Sequence, residues 1–288
     1  MTIRDLIRSY SDSFKIISDT PELDARVIVC HFLGLEPAQL FLRIDDAIPE
    51  DLLGKLESAL KRRQSGEPVA YITGERGFYE CTFKVSDATL IPRADTETLV
   101  EDSINTLKSL VGESDEIKIL DLCCGTGCIG ISVAKALAGY FKKISLTLSD
   151  LSDKALEICR TNADSLITEK NISVSVIRSN MFKDIRETAY DAILSNPPYI
   201  RSSVIPGLEK QVQFEPHMAL DGGEDGLDFV RIIACEASKH LVSGGFLEIE
   251  IGYDQGEDSA LLLAESGYRG ITVLKDLGGN DRVVKAIN

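Results

Sequence analysis

The chain is short of cations. Its 31 lysines and arginines face 46 aspartates and glutamates, a net charge of −15 over 288 residues, whereas a duplex nucleic-acid footprint needs clustered Lys and Arg. Long apolar runs are missing too. No window reaches the roughly 20 residues that cross a bilayer, and charges run through residues 1–15, so no secretory leader is visible. The expectation is a cytoplasmic protein with no membrane partner and no direct nucleic-acid specificity. Histidine is scarce, at three, and the seven cysteines are odd in number and lack paired spacing, which argues for reduced thiols. Cys123, Cys124 and Cys128 crowd one segment, but no second cluster accompanies them and no metal is expected. Repeats and low-complexity tracts are absent. The remaining composition, 44% hydrophobic and 27% charged, suits one large soluble domain plus a small one.

The first third reads as helical. Thr20-Pro21 has the form of a cap followed by proline at the first helical position, and Leu23, Val27, Cys30 and Leu33 then share a face. Pro49 to Leu60 repeats the pattern through Leu53, Leu56 and Leu60. The run Lys61-Arg62-Arg63 reads as a solvated helix end, where cations suit the dipole. Residues 69–86, β-rich around Gly74 and Gly77, read as a hairpin. This predicts a helical domain over 1–68, a β-hairpin linker over 69–89 and a larger domain over 90–288.

From residue 96 the pattern alternates. Helix 96–111 precedes strand 117–123, and a helix follows from Gly127. Strand 144–150, helix 152–166 and strands 173–180 and 190–196 come next. Helix 226–242, strand 245–252, helix 256–265 and strands near 271–276 and 282–287 complete the chain. Such alternation predicts an α/β, Rossmann-like fold: a mostly parallel sheet covered on both faces, closed by an antiparallel carboxyl-terminal hairpin. Ligands of such sheets sit beyond the carboxyl ends of the strands, a rim that Cys123, Asp150, Asn180 and Asn196 share.

"DLCCGTGCIG" (121–130) joins a strand to a helix. Gly125, Gly127 and Gly130 fit G-x-G-x-x-G, and Asp150 follows about twenty residues on, ending the next strand. Glycines there let a ligand approach the backbone, and a carboxylate at that place can accept both hydroxyls of a ribose. An adenosine-type cofactor on Cys123, Cys124, Gly125, Thr126, Gly127 and Asp150 satisfies this pattern, whether NAD or S-adenosylmethionine. Asn180 can reach an adenine edge. Met181 and Phe182 can flank the ring, and Phe182 is equally suited to the core.

"ILSNPPYI" (193–200) separates those alternatives. Asn196 offers a neutral carbonyl acceptor and two N–H donors but no useful basicity. Pro198 pushes Pro197 into an extended conformation, and neither proline has an N–H. The Pro197 carbonyl can then stand beside the Asn196 side chain, with Tyr199 as a flat wall. Two fixed acceptors and a wall suit a planar –NH2 group. Holding both its hydrogens counters the positive charge that develops as such a nitrogen attacks an electrophilic carbon. Hydride transfer has no use for this tetrapeptide; methyl transfer from S-adenosylmethionine does. Asn196, Pro197 and Tyr199 are therefore the catalytic candidates, and with Pro198 they form the substrate-binding set.

The same residues carry a resemblance. Over nearly its whole length the chain resembles the HemK/PrmC family, the N5-glutamine methyltransferases of peptide chain release factors. The matching segments are "GEPVAYITGERGFY" (66–79), "LIPRADTETLVE" (90–101), "DLCCGTGCIGIS" (121–132), "NPPYI" (196–200), "FEPHMALDGGEDGLDF" (214–229) and "LVSGGFLEIEIG" (241–252). The resemblance implies a class I S-adenosylmethionine-dependent methyltransferase fold with a small amino-terminal helical domain that helps dock the release factor. It implies that Asn196 to Tyr199 hold the glutamine of a Gly-Gly-Gln loop, and that Cys123 to Gly127, Asp150, Met181 and Asn196 contact S-adenosyl-L-methionine, with S-adenosyl-L-homocysteine as product. Ala94 stands where the family often has proline, Cys123-Cys124 where small residues such as Gly or Thr are usual, and Met181 where a bulkier aromatic sometimes occurs. Asn-Pro-Pro-Tyr also occurs in amino-methyltransferases of adenine or cytosine, so a nucleic-acid amino-methyltransferase is the alternative.

Overall fold

The computed structural model describes residues 1–186 and 189–288. They form two compact units: Met1–Glu75 with Leu208–Phe214, and Arg76–Gly207 with Glu215–Asn288.

The first unit is built on helices α1 (Ile3–Phe14), α2 (Pro21–Leu33), α3 (Pro37–Arg43), α4 (Glu50–Gln64) and α5 (Val69–Thr73). A capping box starts α1: the Thr2 hydroxyl accepts from the Asp5 amide, and the Asp5 carboxylate accepts from the Thr2 amide, so two of the helix's orphan donors are satisfied reciprocally. Its core is Ile3, Leu6, Phe14, Ile28, Val29, Leu56 and Leu60 with their neighbours.

Thr20 is the N-cap of α2 with Pro21 at its first position, as the sequence predicts, and the Thr20 hydroxyl donates to the Asp24 carboxylate at 3.3 Å instead of capping a helix amide. Two sequence expectations fail in this unit. Leu23 and Val27 are exposed, and Ala25, Ile28 and Val29 fill the core in their place. Helix α2 carries apolar side chains around most of its circumference, so periodicity does not choose its face. Arg63 is not a solvated helix end either: it is 2% exposed, pairs with Asp24 at 2.7 Å, and donates to the Ile17 and Glu67 carbonyls. A buried guanidinium needs its charge and donors matched, and Asp24 supplies the match from across the core.

The segment read as a hairpin over 69–86 is helical at its start, in α5. Its strands are β1 (Glu75–Phe78) and β2 (Cys81–Lys84). Tyr79 turns between them with φ +52°, a strained left-handed conformation for a bulky residue, and its amide is held by Glu97 at 2.8 Å.

The second unit is built around a seven-stranded sheet. Its strands are β3 (Glu116–Leu122), β4 (Lys143–Asp150), β5 (Ile172–Arg178), β6 (Tyr190–Ser195), β7 (Leu241–Glu250), β8 (Arg269–Lys275) and β9 (Asp281–Ile287). Their spatial order is β5-β4-β3-β6-β7-β9-β8. All neighbours are parallel except β7–β9 and β8–β9, as the hairpin reading required. Helices α6 (Glu97–Lys108), α7 (Cys128–Leu137), α8 (Asp153–Leu166), α9 (Asp228–Glu236) and α10 (Gly256–Glu265) connect the strands. Two apolar clusters hold the layers together, one containing Ile119, Ile131, Leu146 and Leu156, the other Leu120, Ile193, Ile233 and Leu247. The chain leaves β3 toward β4 and β5, then returns to place β6 on the other side of β3. Leu122 lies opposite both Ser149 and Ser195, so the chain emerges from β3, β4 and β6 at one level. This is the switch point at which open α/β sheets form a crevice.

Candidate active site

At that switch point lies a cavity of about 420 Å³, within the 300–1,000 Å³ range of small-molecule sites. It is lined by Leu122 to Thr126, Ser149 to Ser152, Ser179 to Met181, Asn196 and Pro198. Leu90, Pro92, Arg93, Thr96 and the 216–219 segment face the same space.

The glycine loop is fixed largely by its own backbone. Cys123 turns with φ +60°. The Cys124 amide donates to the Ser149 carbonyl at 2.9 Å, and the Gly127 amide to the Cys124 carbonyl at 2.7 Å. Asp121, fully buried, accepts from the Gly130 amide at 2.8 Å and so ties the first turn of α7 to β3. A Cβ at Gly130 would lie 2.9 Å from Asp121, Leu146 and Leu148 side-chain atoms, which is why helix and sheet need glycine there. Burial, with the Asp150 charge adding to it, pushes the Asp121 carboxyl up to about 7 against the Gly130 hydrogen bond.

Asp150 ends β4 and lines the cavity. One oxygen accepts from the Gly125 amide and the other from the Ser152 amide, each at 2.9 Å. Burial raises its pKa, opposed by these backbone donors. A carboxylate oxygen takes more than one hydrogen bond, so both retain capacity toward the cavity. Strand β5 stops at Arg178, two residues short of the sequence reading, and Asn180 and Met181 sit in the turn that follows. The Ser179 hydroxyl donates to the Met181 carbonyl at 2.6 Å and holds that turn. Met181, with φ +53°, lines the cavity with its sulfur 3.8 Å from that of Cys123. Phe182 stacks on His240, centroids 5.0 Å apart, and belongs to the core, which closes the choice left open for it. Burial raises the Cys123 thiol and pushes that of Cys128 up to about 12, so both are neutral thiols rather than nucleophiles or metal-ready thiolates.

The Asn-Pro-Pro-Tyr turn follows β6. The Asn196 Nδ2 donates to the Thr96 hydroxyl at 3.4 Å. Among the described residues, neither Asn196 Oδ1 nor the Pro197 carbonyl accepts a hydrogen bond. Pro197, Tyr199 and Gly127 are not among the cavity-lining residues. The Tyr199 hydroxyl turns inward and donates to Glu250 Oε1 at 3.2 Å. From behind, the Gln255 side-chain amide donates to the Tyr199 carbonyl at 3.0 Å and the Gly226 carbonyl at 3.2 Å. Ile200 pairs with the 220–222 backbone. A Cβ at Gly222 would come within 2.7 Å of Tyr199 Cα, so the turn rests directly on a glycine backbone.

These contacts account for two segments whose role periodicity could not assign. Glu215, 5% exposed, accepts from the Ile91 amide at 3.0 Å and pairs with Arg93, joining the cavity-lining segments 90–93 and 215–221. The 220–226 glycines back the Asn-Pro-Pro-Tyr turn. Thr96, Glu250, Gln255 and Gly222 escaped the sequence reading as site residues. A buried Glu within the apolar run "LEIEIG" was the one visible signal among them.

A parallel sheet with an antiparallel closing hairpin, a glycine loop after its first strand and an Asn-Pro-Pro-Tyr turn after its fourth define a class I methyltransferase. Residues 100–207 match the methyltransferase small domain and residues 5–74 the PrmC N-terminal domain. The fold is shared with the hMettl16 catalytic domain, solved in complex with MAT2A 3'UTR hairpin 6 (TM-score 0.51, 16% identity, 83% of this chain and 81% of that one). Release factor glutamine methyltransferase of Vibrio cholerae is 39% identical over 92% of this chain and 89% of its own length. That of Agrobacterium fabrum is 37% identical over the same shares. The chain belongs to the release factor glutamine methyltransferase family.

Proposed function

We propose that this enzyme transfers a methyl group from S-adenosylmethionine to the side-chain amide nitrogen of the glutamine in the Gly-Gly-Gln loop of peptide chain release factors, and works in the cytoplasm. One observation carries the reading: Asn196 lines the glycine-loop cavity, and neither its Oδ1 nor the adjoining Pro197 carbonyl accepts a hydrogen bond among the described residues. Its family relatives bear the corresponding name.

Cys123 to Gly127, Asp150, Asn180 and Met181 are the residues that hold the cofactor. The residues fit the group: Asp150 keeps acceptor capacity for a ribose diol, Cys123 to Thr126 line the cavity beside it, and the thiols there are neutral beside a sulfonium. When bound, S-adenosylmethionine supplies an electrophilic methyl carbon. The protein's own part is to hold the carboxamide. Its two N–H hydrogens meet Asn196 Oδ1 and the Pro197 carbonyl, acceptors already in place where positive charge develops, an effect of about 10²–10³-fold per group. A carboxamide nitrogen needs no base before it attacks, and its surplus proton leaves to solvent afterwards. The amino-terminal helical domain, 1–68, docks the release factor in this reading, supported by its match to the PrmC N-terminal domain.

Incubation with methyl-labelled cofactor and purified release factor tests this. Label is expected on the release factor, one methyl by mass, and none on a variant with that Gln changed to Ala. Label persisting on the variant, or entering RNA or DNA instead of protein, overturns the assignment.

A further inference from the structure

Two glutamates lie two residues apart on β7, Glu248 and Glu250, both at most 1% exposed. Burying a carboxylate is costly unless something answers its charge, and the two are answered differently. Glu248 faces Lys285 at 3.2 Å and accepts from the Ser103 hydroxyl at 2.6 Å. It belongs to a closed structural cluster away from the cavity lining. Among the described residues no cation lies within ion-pair distance of Glu250: Arg282, whose charge acts on it from β9, pairs with Asp276 at 2.9 Å and Asp95 at 3.4 Å. Glu250 Oε1 accepts from Tyr199, and Oε2 is buried with no hydrogen-bond partner among the described residues.

What surrounds Glu250 is the back of the substrate turn. Tyr199 is held at its hydroxyl by Glu250 and at its carbonyl by Gln255. The Thr96 hydroxyl, which receives the Asn196 amide, lies close enough to Glu250 to favour its ionised form. A leucine would fill this position in an apolar strand at less cost. The carboxylate instead holds Tyr199 at one end of the tetrapeptide and lies near the Thr96 that receives Asn196 at the other.

We propose that Glu250 is a positioning residue for the carboxamide clamp, holding Tyr199 directly and Asn196 through Thr96 so that Asn196 Oδ1 faces the cavity. It touches neither substrate nor cofactor. By fixing the Asn196 Nδ2 on Thr96, the arrangement presents Oδ1, an acceptor, rather than a donor that would repel the incoming amide. The inference rests on the proposed function only for its kinetic consequence; the orientation of Asn196 is a property of the free protein.

Two measurements test it. In 15N NMR of the full chain, the Asn196 side-chain amide, assigned by its loss in Asn196→Ala, should move in Glu250→Ala and move less in Glu250→Gln, which keeps an acceptor for Tyr199. In turnover assays Glu250→Ala should lower kcat by about tenfold while the Kd for S-adenosylmethionine stays within about threefold. Combining it with Tyr199→Phe should cost less than the product of the two single losses. Should Glu250→Ala fail to fold, Glu250→Gln carries both readouts. An Asn196 resonance unmoved in these variants overturns the inference, as does a multiplicative double variant or a cofactor Kd that weakens as much as kcat falls. Absence of methylation by the unmodified enzyme overturns the proposed function instead, and the NMR arm still decides this inference.

Discussion

The two halves of the site are built in opposite ways. The glycine loop is local: Asp121 reaches Gly130 nine residues on, and Asp150 reaches back to Gly125 from the adjacent strand. The Asn-Pro-Pro-Tyr turn is stiff by its prolines but aimed from a distance. Thr96 stands 100 residues before Asn196, and Glu250 and Gln255 stand 51 and 56 after Tyr199. A cofactor common to many methyltransferases can be met by a self-contained loop. A carboxamide needs acceptors at one angle, and only contacts from several elements hold such an angle.

If this division is right, damage to each half has its own signature. The largest effect is expected for Asn196→Ala: kcat down about 10²–10³-fold with cofactor Kd within a few-fold, measured by single-turnover methylation and calorimetry. Gly222→Ala should follow, because its Cβ cannot sit 2.7 Å from Tyr199 Cα and the turn must shift. A drop of roughly tenfold or more in kcat, with cofactor affinity intact, is the expected result. An equal loss of cofactor affinity in either variant would merge the two halves into one. Asp150→Ala should do the reverse, weakening cofactor affinity by about tenfold, roughly 1.4 kcal/mol. The thermal shift at a fixed cofactor concentration should shrink accordingly.

The smallest effect concerns pH. Each half contains a carboxyl group raised to about 7, Asp121 by burial, with the Asp150 charge adding, and Glu250 by burial against the Tyr199 and Thr96 hydroxyls and the Arg282 charge. A carboxyl whose folded pKa exceeds its unfolded value favours folding while protonated. That contribution is complete below about pH 4 and is lost as pH rises to about 7. Urea midpoints should therefore fall between pH 5 and pH 7.5, and Asp121→Asn and Glu250→Gln should each flatten the slope, on the order of 1 kcal/mol apiece. A slope unchanged in both variants would mean that neither group titrates in that window.

Legibility divided along the same line. Every sheet strand, the closing hairpin and the glycine loop could be read from residues 96–288, because alternation, turn residues and motif spacing are local signals. The amino-terminal unit was less transparent. In α2 apolar residues encircle the helix, so its packing face was misread, and the cation run ending in Arg63 concealed a buried pair with Asp24. Nothing near either residue in the chain announces the other, 39 positions away.

By itself the sequence determined which chemistry is present: a glycine loop after the first sheet strand, an acid at the end of the second, and an amide before two prolines after the fourth. Short-range sterics and side-chain functional groups suffice for that. Only the tertiary structure decided what aims them. That Glu215 clasps Ile91 and Arg93, that Gly222 supports Tyr199, and that one carboxylate on β7 stands behind the Asn-Pro-Pro-Tyr turn depends on residues brought together from distant parts of the chain, and such contacts leave no periodic mark in the sequence.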